Sequence, residues 1–194
     1  MIEIVLALAV LVLIAGVVSV TMFGSASTYY LDEGSRQFET VIRLARAEAA
    51  TQGRRFRLSF DAEPAAMKVQ WEPQPLAQPG QFADFSDASW VESLPAEYVR
   101  VVSSRKIGSD AYETLVFGQP KKDMGKDAAT LDAIEFFPDA SFDSAIIELA
   151  STDEKDPRRA VVRLDGVNQL ITTQIMLAEE VVELYAQMGL ETEK

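Results

Sequence analysis

The sequence predicts an α+β fold. One long amino-terminal helix, with a membrane half and a soluble half, packs on antiparallel β-sheet, and an amphipathic helix is added at the carboxyl end. Three observations carry this. An apolar run, Ile4 to Phe23, leads into a helical stripe that ends near Gly53. Period-two alternation then dominates from Arg55 to Thr172, and a second helical stripe runs from Ala178 to Met188. The expected organisation is a transmembrane and assembly helix over 1–23, its continuation against the domain over 24–53, an antiparallel β domain over 54–173 and a carboxy-terminal helix over 174–190.

The head comes first. Residues 4–23 are interrupted only by Gly16, Ser19 and Thr21. At about 1.5 Å per residue such a helix spans roughly 30 Å, the thickness of a bilayer core. A helix is the form in which this run satisfies its own backbone in lipid. A cleaved secretory signal would instead need a basic leader region and a shorter core, although Gly24-Ser25-Ala26-Ser27 would suit its cleavage. Glu3 is the only charged residue before Asp32. A carboxylate at the head of a membrane-length segment is costly unless something neutralises it. No Lys or Arg precedes the run, while Arg36, Arg43 and Arg46 follow it. Tyr29-Tyr30 lies just past the apolar run and suits a membrane interface.

Beyond the head, Gly34 lowers helix propensity, so the helix either continues or melts locally there. Phe38, Val41, Ile42, Ala45 and Ala49 then form one apolar stripe, and Gly53 is a helix stop. Phe56, Leu58 and Phe60 alternate with polar neighbours, as do Met67, Val69 and Trp71, giving two half-buried strands. Residues 73–90 read as a long loop with Pro73, Pro75, Pro79 and Gly80. Further strands are expected at Tyr98–Val102, Leu115–Phe117, Ile134–Phe137 and Ala145–Leu149, with a polar loop from Lys121 to Asp132. Ala160–Leu164 and Leu170–Thr172 flank a hairpin turn at Asp165-Gly166. In the last helix Ala178, Val181, Val182, Tyr185 and Met188 form the apolar stripe. That stripe either packs on the chain's own body or docks a neighbouring subunit, with Val182 and Tyr185 as the docking residues.

Composition narrows the chemistry. The 194 residues carry a net charge of −12 and no basic run beyond Arg54-Arg55, which argues against nucleic acid as a partner. Cysteine and histidine are absent. That removes disulfides, thiol nucleophiles, imidazole zinc sites and Ser-His-Asp catalysis, and it argues against an enzyme. Asp61, Asp139, Asp143 and Asp165 fit no calcium loop and read as turn and strand-end residues. No catalytic, metal or cofactor residues are expected. Trp71 and Trp90 read as packing residues.

Taken together, the residues resemble a known family. Met1-Ile2-Glu3-Ile4-Val5-Leu6-Ala7-Leu8 looks like the start of a type IV pilin-like protein, in which a basic leader ending in glycine precedes an Ile-Glu stretch and an apolar helix. On that pattern the leader and the first two mature residues are expected to precede Met1. Phe38-Glu39-Thr40-Val41-Ile42-Arg43-Leu44-Ala45-Arg46-Ala47 resembles the corresponding helix of H-type minor pseudopilins of type II secretion. Ile134-Glu135-Phe136-Phe137-Pro138-Asp139-Ala140-Ser141 resembles that family's strand-and-turn element. Ala140 stands where the family usually has glycine, and Val167-Asn168-Gln169 stands in place of its usual Thr-Gly.

The resemblance implies a non-catalytic subunit of the secretion pseudopilus. It implies Glu3 as an assembly contact to the free amino terminus of the preceding subunit. It implies a single-pass inner-membrane protein with a periplasmic domain. Its partners would be other pseudopilins, a prepilin peptidase and methylase, an inner-membrane assembly platform and the bilayer. The rival readings are a minor type IV pilus or DNA-uptake pilin, and a membrane-anchored periplasmic enzyme or binding domain that does not polymerise.

Overall fold

The computed structural model describes residues 3, 29–61, 66–107 and 131–188. The apolar run with its ends Ile4 and Phe23, the expected strand at Leu115–Phe117 and most of the expected loop 121–132 lie outside them. Among the described residues no helix is long and apolar enough to cross a membrane.

Helix α1 runs over 29–52. The expected stripe is its buried face: Phe38, Val41, Ile42, Ala45 and Ala49 are all buried, and Leu31 extends the stripe two turns further back. The outer face is tied by i,i+4 pairs such as Arg43–Glu39 at 2.5 Å and Gln37–Glu33 at 3.0 Å. The helix does not melt at Gly34. A Cβ there would lie 2.4 Å from Val99 Cγ1 and 2.9 Å from Tyr98 Cβ. Glycine's helix penalty, about 1 kcal/mol, is offset by this close approach to the sheet. Gly53 stops the helix at φ +64°, and the Arg54 N–H donates back to Ala49 O at 3.2 Å.

Two four-stranded antiparallel sheets follow. The first has the order β3-β2-β1-β5, from β1 (Phe56–Asp61), β2 (Ala66–Trp71), β3 (Ala83–Asp84) and β5 (Ile134–Phe136). The second has the order β4-β6-β7-β8, from β4 (Val99–Lys106), β6 (Ala145–Ser151), β7 (Arg158–Asp165) and β8 (Leu170–Leu177). Phe56 pairs with both Trp71 and Phe136, so one register serves both neighbours of β1. The β7–β8 hairpin pairs Arg158 with Leu177 through to Asp165 with Leu170. Period two places Phe56, Leu58 and Phe60 from the first sheet in one cluster with Ile147, Leu149 and Val162 from the second. The stripe of α1 belongs to the same cluster, so this helix joins the two sheets into one core.

Helix α2 (Ala178–Gln187) lies on the other face of the second sheet. Its first turn is capped by Glu180, whose carboxylate accepts the Leu177 N–H at 2.8 Å.

Several expected boundaries move. β4 and β6 run past the expected ends Val102 and Leu149, because Ser103, Ser104 and Ser151 are buried polar residues that hide the alternation. The loop 73–90 contains β3 and opens a 3₁₀ turn at Ser89–Ser93. The carboxy-terminal helix starts at Ala178 rather than 174, since residues 174–177 complete the ladder to β7. Val182 also leaves the buried stripe. The buried face is Val181 and Tyr185, with Leu184 and Met188 packed beside them, which is i, i+3, i+4, i+7 spacing. Val182 stands one step of about 100° away and is 50% exposed.

Candidate functional site

Of the residues singled out for assembly, Glu3 is described alone, as a helical residue. Tyr185 points into the second sheet and Val182 points out. Tyr29 and Tyr30 open α1 and are both exposed. Tyr30 stacks on Tyr98 with ring centroids 5.9 Å apart, so an aromatic group marks the end of the domain where the chain enters from the head.

Among the described residues the two buried carboxylates, Glu72 and Asp156, are committed to structure. Glu72 accepts Arg55 Nε at 2.8 Å and the Gly80 N–H at 2.5 Å. The Arg55 hydrogen bond holds the Glu72 carboxyl below its ordinary value. Asp156 takes Arg158 through two oxygens, at 2.9 and 2.8 Å, and is likewise lowered by that hydrogen bond. Arg158 also lies 3.9 Å from Asp32, which ties the start of α1 to β7.

Beneath α2 lies a third group. Glu148 on β6 meets Arg159 at 3.3 Å and Ser103 Oγ at 3.5 Å, and the Tyr185 hydroxyl faces it. Burial pushes the Glu148 carboxyl up, and burial likewise pushes up the Tyr185 phenol. These are pairs of opposite charge with filled acceptors.

A shallow groove runs between α2 and the β7–β8 hairpin, lined by Ile146, Val161, Arg163, Leu170, Leu184 and Met188. Asp165 at its end is already used, accepting the N–H groups of Val167 at 3.1 Å and Asn168 at 2.9 Å. Asp139 similarly closes its turn on Ser141, and Asp61 pairs with Lys68 at 2.7 Å. Among the described residues no group of acidic side chains is placed to hold a metal ion.

One cross-link left no mark in the sequence pattern. Arg46 on α1 donates to Ala140 O at 2.7 Å and to the Gln169 side chain, with its guanidinium 5.4 Å over the Phe142 ring. Ala140 and Gln169 both hold positive φ, 64° and 57°. One arginine therefore fastens two strained turns to the long helix.

No curated protein matches the chain. Two solved structures of the minor pseudopilin EpsH from the type II secretion system of Vibrio cholerae align with it. One has 9% identity over 76% of this chain and 96% of that one, with a TM-score of 0.44. The other has 10% identity over 76% and 94%, with a TM-score of 0.45. The family model of the type II transport protein GspH matches residues 34–167, from the packed half of α1 to the β7–β8 turn, and the chain belongs to that family.

Proposed function

We propose that this chain is a non-catalytic minor pseudopilin, a structural subunit of the type II secretion pseudopilus that supports protein export. The observation that carries the reading is the family match over residues 34–167. The Glu3-headed apolar run and the commitment of the buried carboxylates to ion pairs support it. In this reading residues 4–23 anchor the subunit in the inner membrane, with the domain on the periplasmic side. A prepilin peptidase trims and methylates the amino terminus. The subunit then leaves the membrane into a filament of other pseudopilins, through the assembly platform. Glu3 meets the amino terminus of its neighbour, since two buried opposite charges prefer each other to lipid. The subunit works by contact and turns over no substrate.

The test is Glu3→Ala in the native cell. The variant is expected to stay membrane-inserted and folded while secretion through the system stops. Normal secretion by the variant would overturn the assembly role. The amino-terminal sequence and mass of the wild-type protein from its native membrane test processing separately. A processed, N-methylated residue upstream of Met1 is expected; an unprocessed start at Met1 would leave a simple anchored domain.

A further inference from the structure

Among the described residues the two sheets have four edges, and three are protected. β3 is two residues long. β5 is three residues long and is bordered by the 141–143 segment, with a bridge between Phe136 and Phe142. β4 carries Arg100, Arg105 and Lys106 and a register break between Val101 and Ser103. Its outer side is covered at Ser104, whose carbonyl accepts the Asp132 N–H at 2.9 Å. Short strands, charges, bulges and covering segments are how proteins stop sheets from pairing edge to edge.

Among the described residues β8 has none of these devices. It is eight residues long, Leu-Ile-Thr-Thr-Gln-Ile-Met-Leu, with no charge, proline or glycine, and its register with β7 is unbroken. Leu170, Ile175 and Leu177 are 59%, 38% and 46% exposed. The hydrogen-bond phase is fixed at its end, where the Ala178 N–H donates to Pro157 O at 3.3 Å. Alternation along an antiparallel ladder then turns the N–H and C=O groups of Ile171, Thr173, Ile175 and Leu177 outward. Glu180 takes the Leu177 N–H, so three outward amides remain without a partner strand among the described residues.

We propose that β8 accepts an added strand from a neighbouring subunit: an uncharged, aliphatic extended segment with Lys or Arg beside it, at the end next to α2. Backbone pairing supplies the adhesion and the exposed Leu and Ile side chains supply selectivity. The basic flank follows from Glu179, Glu180 and Glu183, all exposed immediately after the strand. The same charges argue against a second copy of this chain. Antiparallel self-pairing would bring Glu179 and Glu180 of one copy to the β7–β8 turn end of the other, where the edge strand carries no basic residue to receive them and the next strand ends in Asp165. That the neighbour is a filament subunit rests on the function proposed above; the open edge does not.

The test uses the full chain in detergent and three synthetic peptides matched to the length of β8. One alternates valine and threonine with lysine ends, one has glutamate ends, and one repeats the lysine peptide with alternate amides N-methylated. Backbone hydrogen exchange at Ile171, Thr173 and Ile175 is the readout. The lysine peptide is expected to slow exchange at all three, the glutamate peptide less, and the methylated peptide not at all. In an Ile175→Lys chain with unchanged melting temperature, protection by the lysine peptide should be lost. Three results would overturn the proposal: no protection by the lysine peptide, equal protection by the methylated one, or protection without peptide that rises with protein concentration, which would make a second copy the occupant. Equal protection by the glutamate peptide would overturn the basic flank. If peptides fail while Glu3→Ala still blocks secretion, only the edge inference falls. If Glu3→Ala secretes normally while the lysine peptide binds, the subunit reading falls instead.

Discussion

Helices α1 and α2 cover opposite faces of the same sheet, and the sheet meets them with different chemistry. Toward α1 it presents Ala145, Ile147, Leu149, Ala160, Val162 and Leu164, all fully buried. Toward α2 it presents Ile146 and Val161 alongside Glu148 and Arg159. The α1 side is a dry core shared with the first sheet. The α2 side is a thin apolar seam with an ion pair inside it. Dry contact area, which scales with stability, is concentrated on one side. The chain therefore reads as a core built around α1 and a cover laid over it.

The largest test of this contrast is Phe38→Ala. Phe38 is fully buried where α1 meets both sheets, and its ring centroid lies 6.3 Å from that of Phe60. Removing a buried aromatic costs about 3–5 kcal/mol through lost transfer energy and the cavity left behind. Urea unfolding of the whole domain should show that loss. A loss no greater than that from a change under α2 would erase the distinction.

Under α2 the matching change is Tyr185→Phe. It keeps the ring in the seam and removes only the hydroxyl that meets Glu148. About 0.5–1.5 kcal/mol is expected, the net value of one hydrogen bond. If α2 is a cover, hydrogen exchange should speed in α2 while the amides of β6 and β1 keep their protection. Equal loss of protection throughout would make α2 part of the core.

The two sides also respond differently to acid. Burial raises the folded Glu148 carboxyl above its ordinary value of 4.5, so the folded protein takes up a proton more readily than the unfolded chain. Stability is then gained as pH falls through the folded value, and the gain is complete below the unfolded one. Glu72 and Asp156 are lowered, so their contributions are present above the ordinary carboxylate range and lost as pH falls below it. Mild acidification should first raise protection in α2, measured against the intrinsic exchange rate at each pH, and stronger acid should then unfold the domain. Glu148→Gln should remove the first effect and leave the second. A variant that still tightens α2 on acidification would place the effect elsewhere.

What could be read from the sequence follows the same division. The stripe Phe38–Ala49 and the alternation of Phe56–Phe60 were visible because one face is dry and the other wet, which is the condition for a clean period. The fold class followed from these elements. Under α2 the signal was weaker. Val182 and Val181 are chemically alike, and only the placement of Leu184 and Met188 beside Tyr185 selects the buried face. The ends of β4 and β6 were hidden because buried serines look like solvent positions. The open edge of β8 could not be seen at all, since no local pattern says which strand has one neighbour instead of two. The Arg46 cross-link joins residues 94 and 123 positions apart, beyond any periodicity.

That cross-link gives the smallest and most specific prediction, on the α1 side. Ala140 holds φ +64°, a left-handed conformation that costs a residue with a Cβ about 1–2 kcal/mol. Ala140→Gly relieves this cost but loosens the unfolded chain, which takes back about 0.4–1 kcal/mol. A net gain of about 0.5 kcal/mol is expected, because the carbonyl that Arg46 uses belongs to the backbone and survives the change. Gln169→Gly is the informative partner. It relieves similar strain at φ +57° but deletes the side-chain oxygen that Arg46 binds, so the two effects oppose. If Ala140→Gly stabilises and Gln169→Gly does not, Arg46 holds the second turn through the Gln169 side chain. If both stabilise equally, the Arg46–Gln169 contact contributes nothing, and α1 is fastened to that end of the sheet by apolar packing and the Ala140 carbonyl alone.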